Sequence, residues 1–246
     1  MANTRSTISL DDMAKAGVHL GHHTSKWHPK MNDYIYGSKN SIHIIDLNQT
    51  KEKLEIALDF IAETVASGKD ILFVTTKKQA IPVVKDMAEA NEMPYMVRRW
   101  VGGVFTNFKT ITKRVKQLVV LEEKLEANEL KSYTKKERKV FRDKVEKGNK
   151  IFAGVKNLKS LPGAVFVQDV VKDSLAIKEA HDLNIPVIAL TDTNANPELV
   201  DYAIPANDDA VTSIKYIYDI VGKTIAEAKS KRTAIASSTE KSANNK

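Results

Sequence analysis

Short unbroken apolar runs alternate along this chain with stretches in which apolar residues recur every three or four positions. Ile71-Leu72-Phe73-Val74, Ala164-Val165-Phe166-Val167 and Pro186-Val187-Ile188-Ala189-Leu190 are runs of the first kind. Their length and composition suit strands buried on both faces. Tyr95-Met96-Val97 and Tyr202-Ala203-Ile204 are shorter versions. Helical spacing fills the gaps. Leu54, Leu58, Ile61 and Val65 lie on one face of a helix that Asn48 or Thr50 should cap and Gly68 should end. Another helix opens after Thr76, tolerates Pro82 in its first turns and ends near Asn91. Two more cover Asp173 to Leu183 and Asp208 to roughly Ala228. Strands separated by helices predict a parallel sheet with right-handed crossovers. The fold class is therefore α/β, doubly wound, Rossmann-like or flavodoxin-like. Upstream, Tyr34-Ile35-Tyr36 and Ile42-His43-Ile44-Ile45 flank Gly37-Ser38-Lys39-Asn40, a predicted β-hairpin.

The alternation breaks between 107 and 157. Phe108, Ile111, Val115, Leu118 and Leu125 recur at three- and four-residue steps. The pattern stops at Ser132-Tyr133-Thr134, where Thr134 and Glu137 make a capping-box signature for a second helix. That helix carries Phe141, Val145, Gly148, Phe152 and Val155 on one face. Two amphipathic helices joined by a short turn predict an antiparallel helical hairpin with a coiled-coil-like seam, inserted into the α/β domain. The domain itself then comprises 1–106 and 158–228. The remainder, 229–246, is rich in Ser, Ala, Asn and Lys, and its composition predicts disorder.

Charge sharpens this picture. The 246 residues carry a formal charge of +7. Between Lys109 and Lys150 there are 14 basic and 7 acidic residues, while elsewhere the 24 basic and 24 acidic residues cancel. The whole excess sits on the predicted hairpin, as expected for a footprint on a polyanion. With no cysteine, disulfides and thiolate metal sites are excluded. No apolar run approaches the ~20 residues of a membrane span, and the first ten residues do not read as a signal peptide. A cytoplasmic protein is expected.

Three segments carry candidate chemistry. Arg98-Arg99-Trp100-Val101-Gly102-Gly103 is neither a dinucleotide fingerprint nor a Walker loop, because the glycine spacing fits neither. Its guanidinium groups match phosphate oxygens, and Trp100 and Phe105 could either stack on bases or pack in the core. The segment Lys15 to Lys30 holds His19, His22, His23 and His28 with Lys26, Trp27 and Lys30. It lacks the H-E-x-x-H spacing of a metallohydrolase and reads as a loop that touches RNA or a protein. Finally, Asp192, Asp208 and Asp209 follow strands at the sheet edge where α/β proteins bind ligands. With His19, Asp192 and Asp208 are weak candidates for a structural divalent cation. The alternative is that these segments cap helices and shape turns, with Asn207 capping the last helix and Asn196-Pro197 opening a turn.

The ordered set of segments resembles the bacterial-type small-subunit ribosomal protein family S-two. It comprises Ala16-Gly17-Val18-His19-Leu20-Gly21-His22, Trp27-His28-Pro29-Lys30-Met31, Thr76-Lys77-Lys78-Gln79-Ala80, Arg99-Trp100-Val101-Gly102-Gly103, Asp192-Thr193-Asn194 and Asn207-Asp208-Asp209-Ala210. The resemblance implies a non-enzymatic, ribosome-bound protein on the solvent side of the small subunit. It further implies contacts with ribosomal RNA and neighbouring proteins, a role in recruiting the mRNA-binding S-one protein, and neither a membrane nor a small-molecule substrate. On this reading Lys26, Trp27, Lys30, Arg98, Arg99 and Trp100 contact RNA. So do Lys109, Lys113, Arg114 and Lys116 on the first hairpin helix, and Lys135, Lys136, Arg138, Lys139 and Arg142 on the second. The competing function is a doubly wound enzyme or sugar-phosphate-binding protein using the Asp192/Asp208/Asp209 edge.

Overall fold

The computed structural model describes residues 8–127 and 129–243. Helix α1 (Leu10–Ala16) leads into β1 (Leu20–His23), β2 (Ile35–Lys39) and β3 (Ile42–Ile45). There follow α2 (Leu47–Ala66), β4 (Ile71–Thr75), α3 (Ile81–Ala90) and β5 (Tyr95–Val97). Helices α4 (Phe108–Glu126) and α5 (Lys135–Phe152) come next, then β6 (Ala164–Val167), α6 (Ser174–Asp182), β7 (Val187–Thr191), β8 (Tyr202–Pro205) and α7 (Val211–Ala243).

Strands β4 to β8 form one parallel sheet in the order β5-β4-β6-β7-β8. Numbered within the sheet this is 2-1-3-4-5, the flavodoxin-like doubly wound order, whose topological switch point lies between β4 and β6. Alternate residues of each strand serve opposite layers, because successive side chains leave a strand on opposite faces. Ile71, Phe73, Phe166, Ile188 and Leu190 join the layer containing α2, α3 and α7. Leu72, Val74, Val165, Val167, Val187 and Ala189 join the layer containing α6 and the 100–105 loop. Phe73 and Phe166 stack with ring centroids 5.4 Å apart, and both lean on buried Tyr218.

Helices α4 and α5 are inserted between β5 and β6. Ile111, Val115 and Leu118 of α4 and Val145 of α5 are buried. Gly148 admits Leu118 so closely that a Cβ there would overlap its side chain. The Asn149 amide donates to Glu122 at 2.6 Å. The capping box forms as its signature predicts: Thr134 accepts from the Glu137 N–H, and the Glu137 carboxylate accepts from the Thr134 N–H.

Three local expectations are corrected. The segment read as a loop around Gly21 contains β1, which pairs with β3 and completes a three-stranded antiparallel sheet in the order β1-β3-β2. Its four residues, Leu20-Gly21-His22-His23, give too short and polar a pattern to stand out. Helix α2 is capped by Asp46, which accepts from the Asn48 N–H at 2.9 Å, rather than by Asn48 or Thr50. The Thr50 hydroxyl instead donates to the Pro205 carbonyl at 2.6 Å and ties α2 to the sheet. The last helix runs on to Ala243, past the expected end near Ala228. Lys229 supports its continuation by donating to the Asn91 carbonyl at 2.6 Å and pairing with Glu92 at 3.3 Å. Residues 244–246 of the expected disordered tail lie outside the described residues.

Candidate functional site

The basic loop after β5 is held from below by one carboxylate. Glu179 of α6 is buried. Its Oε1 accepts from the Trp100 indole N–H at 3.1 Å and the Gly103 N–H at 2.7 Å. Its Oε2 accepts from the N–H groups of Phe105 and Thr106 at 3.1 and 3.4 Å and from the Thr106 hydroxyl at 3.3 Å. Burial opposes charge on Glu179, but donation from Gly103, Trp100, Phe105 and Thr106 outweighs it and holds the pKa below the ordinary glutamate value. The turn needs Gly103 at φ +90°, a left-handed conformation that side chains disfavour.

This anchoring sorts the predicted contacts. Trp100, expected to face RNA, is instead buried. Its ring is 7% exposed, packs edge-on against Phe105 at 5.0 Å, and its N–H is taken by Glu179. Arg98 and Arg99 are exposed and have no ion pair among the described residues. Arg98 adopts φ +77°, fixed by its N–H donating to the Thr75 carbonyl at 3.1 Å.

Lys109, Lys113, Arg114 and Lys116 are exposed along α4, and Lys135, Lys136, Lys139 and Arg142 along α5. Arg138 is half-buried, with an enclosed Nε that has no partner among the described residues. In the N-terminal segment Lys26 is exposed, and Trp27 leans on His43 at 5.7 Å with 41% of its surface open. Lys30 pairs with Glu198 at 2.7 Å, so part of its charge is already compensated within the protein.

The acidic edge is a different environment. Where a doubly wound protein usually opens a ligand crevice, between the carboxyl ends of β4 and β6, this chain inserts Lys77. The ammonium is 4% exposed and lies 2.6 Å from Asp208, 2.8 Å from Asp209 and 3.1 Å from Asp169. Burial disfavours its charge, but Asp208 and its neighbours raise the pKa and keep Lys77 protonated. Asp208 shifts upward, through burial first and the adjacent Asp192 second.

His22 Nδ1 lies 3.0 Å from Asp192 and Nε2 lies 3.3 Å from Asp209. The hydrogen bond with Asp192 overcomes burial and raises its pKa. The close approach of β1 here requires Gly21, since a Cβ would lie 2.5 Å from the Thr193 methyl. The cation reading is thereby rearranged. His22, Asp208 and Asp209, not His19, Asp192 and Asp208, bring ligand atoms within 4.8 Å of one another. An imidazole and two carboxylates there could hold a divalent cation. His19 has an enclosed Nδ1 without a partner among the described residues. Asn207 closes the turn that leads into α7 by accepting from the Asp209 and Ala210 N–H groups, both of which precede the helix rather than lie in its first turn, and Asn196 accepts from the Glu198 N–H in its turn.

Two residues essential to these sites escaped sequence reading. Glu179 carried a faint signal: it sits three positions after Ala176 and one before Ala180, a carboxylate on an apolar stripe. Lys77 carried none, because its partners lie about a hundred positions away.

Comparison with known proteins places the chain in a family. A family model described as "Ribosomal protein S2" matches residues 13–228. A relative in Roseiflexus castenholzii named small ribosomal subunit protein uS2 is 43% identical over 228 residues, covering 93% of this chain and 87% of the relative. One of the same name in Coprothermobacter proteolyticus is 44% identical over 233 residues, covering 95% and 87%. Another in Amoebophilus asiaticus is 45% identical over 226 residues, covering 92% and 72%.

Proposed function

The chain belongs to the ribosomal protein S2 family, and on that premise we propose that it is a structural constituent of the small ribosomal subunit that binds ribosomal RNA. The observation that carries the RNA contact is the location of the charge. The entire basic excess lies on the α4–α5 insertion, and its lysines and arginines point mostly into solvent. Phosphate neutralisation by such side chains dominates affinity for RNA and fixes orientation on it. Arg98 and Arg99, presented by the Glu179-anchored loop, extend the same surface to the body of the protein.

In this reading α4 and α5 form an antiparallel coiled-coil hairpin whose seam is Ile111, Val115, Leu118 and Val145. The protein is non-catalytic and works ribosome-bound in the cytoplasm. The exposed N-terminal segment around Lys26 and Trp27 adds RNA contacts, and neighbouring ribosomal proteins, among them the S-one protein where one exists, complete the set of partners. Lys77 and its three carboxylates fill the crevice at the switch point, which weighs against the enzyme alternative.

Sedimentation of tagged protein from a lysate through a sucrose gradient tests the proposal. Co-migration with the small subunit at moderate salt, lost at high salt, is expected. A free species at the top of the gradient at moderate salt would reject it.

A further inference from the structure

At the foot of the insertion, α4 and the chain after α5 enclose a cavity of about 320 Å³, at the lower end of the roughly 300–1,000 Å³ typical of small-ligand clefts. Phe108, Ile111, Val115, Val155 and Leu158 supply apolar walls, one of them aromatic. Thr112 and Asn157 add two polar side chains with no hydrogen-bond partner among the described residues. Lys116, Lys156 and Lys159 complete the lining. Lys156 is neutralised by Glu122, but Lys116 and Lys159 are exposed and have no ion pair among the described residues.

The charge pattern decides what fits. No Asp or Glu occurs between Val104 and Leu121 or between Lys147 and Gln168, the two stretches that build the cavity. Lys109, Thr112 and Lys116 follow one another at three- and four-residue steps, so the cations flank the polar group along one face of α4. An apolar slot with an aromatic wall, half-buried Thr112 and exposed Asn157 at its rim and unpaired cations beside them matches a flat heteroaromatic ring attached to a phosphodiester chain. Proteins read unpaired RNA by accepting extruded bases in this way.

We propose that this cavity receives one unpaired nucleobase of the RNA, stacked against Phe108 and read at its edge by Thr112 and Asn157, with Lys116 and Lys159 holding the flanking phosphates. The inference rests on the RNA-binding reading above and adds a base-specific site to contacts that are otherwise to the backbone.

The test is chemical probing of base reactivity in small subunits assembled with wild-type protein, with Thr112→Phe, which fills the cavity, and with Phe108→Leu, which removes the ring and keeps an apolar wall. Circular dichroism checks that each variant is folded. In wild-type subunits at least one unpaired base should be protected. In both variants its reactivity should return to that of RNA lacking the protein, while the rest of the footprint persists. A photocrosslinking residue at position 112 should join to RNA.

A footprint unchanged by either folded variant would overturn the proposal and leave the RNA-binding reading standing. Crosslinking to a neighbouring protein instead would also overturn it, by assigning the slot to an apolar side chain. A wild-type protein that leaves no footprint would remove the RNA-binding reading, and this proposal with it.

Discussion

Glu179 and Trp100 lie 79 positions apart in the chain, yet the Glu179 carboxylate accepts the indole N–H of Trp100 at 3.1 Å. The same carboxylate gathers the backbone of the following turn, so one acid sets both the burial of the aromatic ring and the path of the loop that presents Arg98 and Arg99. Glu179→Ala should cost on the order of 3–5 kcal/mol, because several buried donors lose a charged acceptor together. Glu179→Gln keeps one carbonyl oxygen and should lose less. Urea unfolding followed by tryptophan fluorescence reads both. Equal stability of wild type and Glu179→Ala would refute the anchoring role.

Lys77 is the shared cationic partner of three carboxylates at the switch point of the sheet. Removing one partner of a buried ionic group strands the others, typically at about 3–5 kcal/mol. Lys77→Met should therefore destabilise by that amount, and adding Asp208→Asn should restore part of the loss. Additive effects in this double-mutant cycle would show that the two groups do not act as a pair.

Asp173 is buried beside the same crevice, and burial lifts its pKa to about 6, against weaker support from the Thr76 N–H donating at 3.2 Å. The folded state then holds this proton more tightly than the unfolded chain. Its contribution to stability is full below the unfolded value near 4 and is lost as pH rises through about 6. Asp173→Asn cannot ionise, so the difference in stability between variant and wild type should move in the variant's favour by about 2–3 kcal/mol from pH 4 to pH 7. Urea midpoints of the two proteins across that range measure it, and a constant difference would contradict the assignment.

Arg98 adopts a left-handed backbone conformation that disfavours side chains by ~1–2 kcal/mol. Glycine relieves that strain but adds freedom to the unfolded chain, for a net gain of up to about 1 kcal/mol. Arg98→Gly should thus raise stability slightly while weakening association with the small subunit. Thermal unfolding and gradient sedimentation of one variant would then move in opposite directions; unchanged association would remove Arg98 from the RNA surface.

Replacing Lys109, Lys113, Arg114 and Lys116 of α4 by Gln should flatten the dependence of RNA affinity on salt. Each lost phosphate contact removes roughly 0.7–0.9 from the slope of log K against log salt. Binding isotherms at several salt concentrations give the slope, and an unaltered value would move the interface away from this helix.

Periodicity and local chemistry carried most of the architecture. Strands buried on both faces, such as Ile71–Val74 and Ala164–Val167, announce themselves as apolar runs because both sides of the sheet are covered. The Thr134–Glu137 capping box and the Asn207 turn were legible because their partners lie within three residues. The basic excess on 109–150 was legible because charge needs no fold to be counted.

What tertiary structure alone decided is which side chains meet. Trp100 joins the core because Glu179, far away in the chain, takes its indole N–H. Lys77 became the centre of the acidic edge because the 2-1-3-4-5 strand order brings the ends of β4 and β6, and the residues after β8, to one point. His22 rather than His19 reached Asp209 because β1 joins the small sheet with Gly21 pressed against Thr193. Local rules act over a few residues, whereas these contacts span about 75 to 190 positions, and only packing of the sheet and its two layers sets the distances between them.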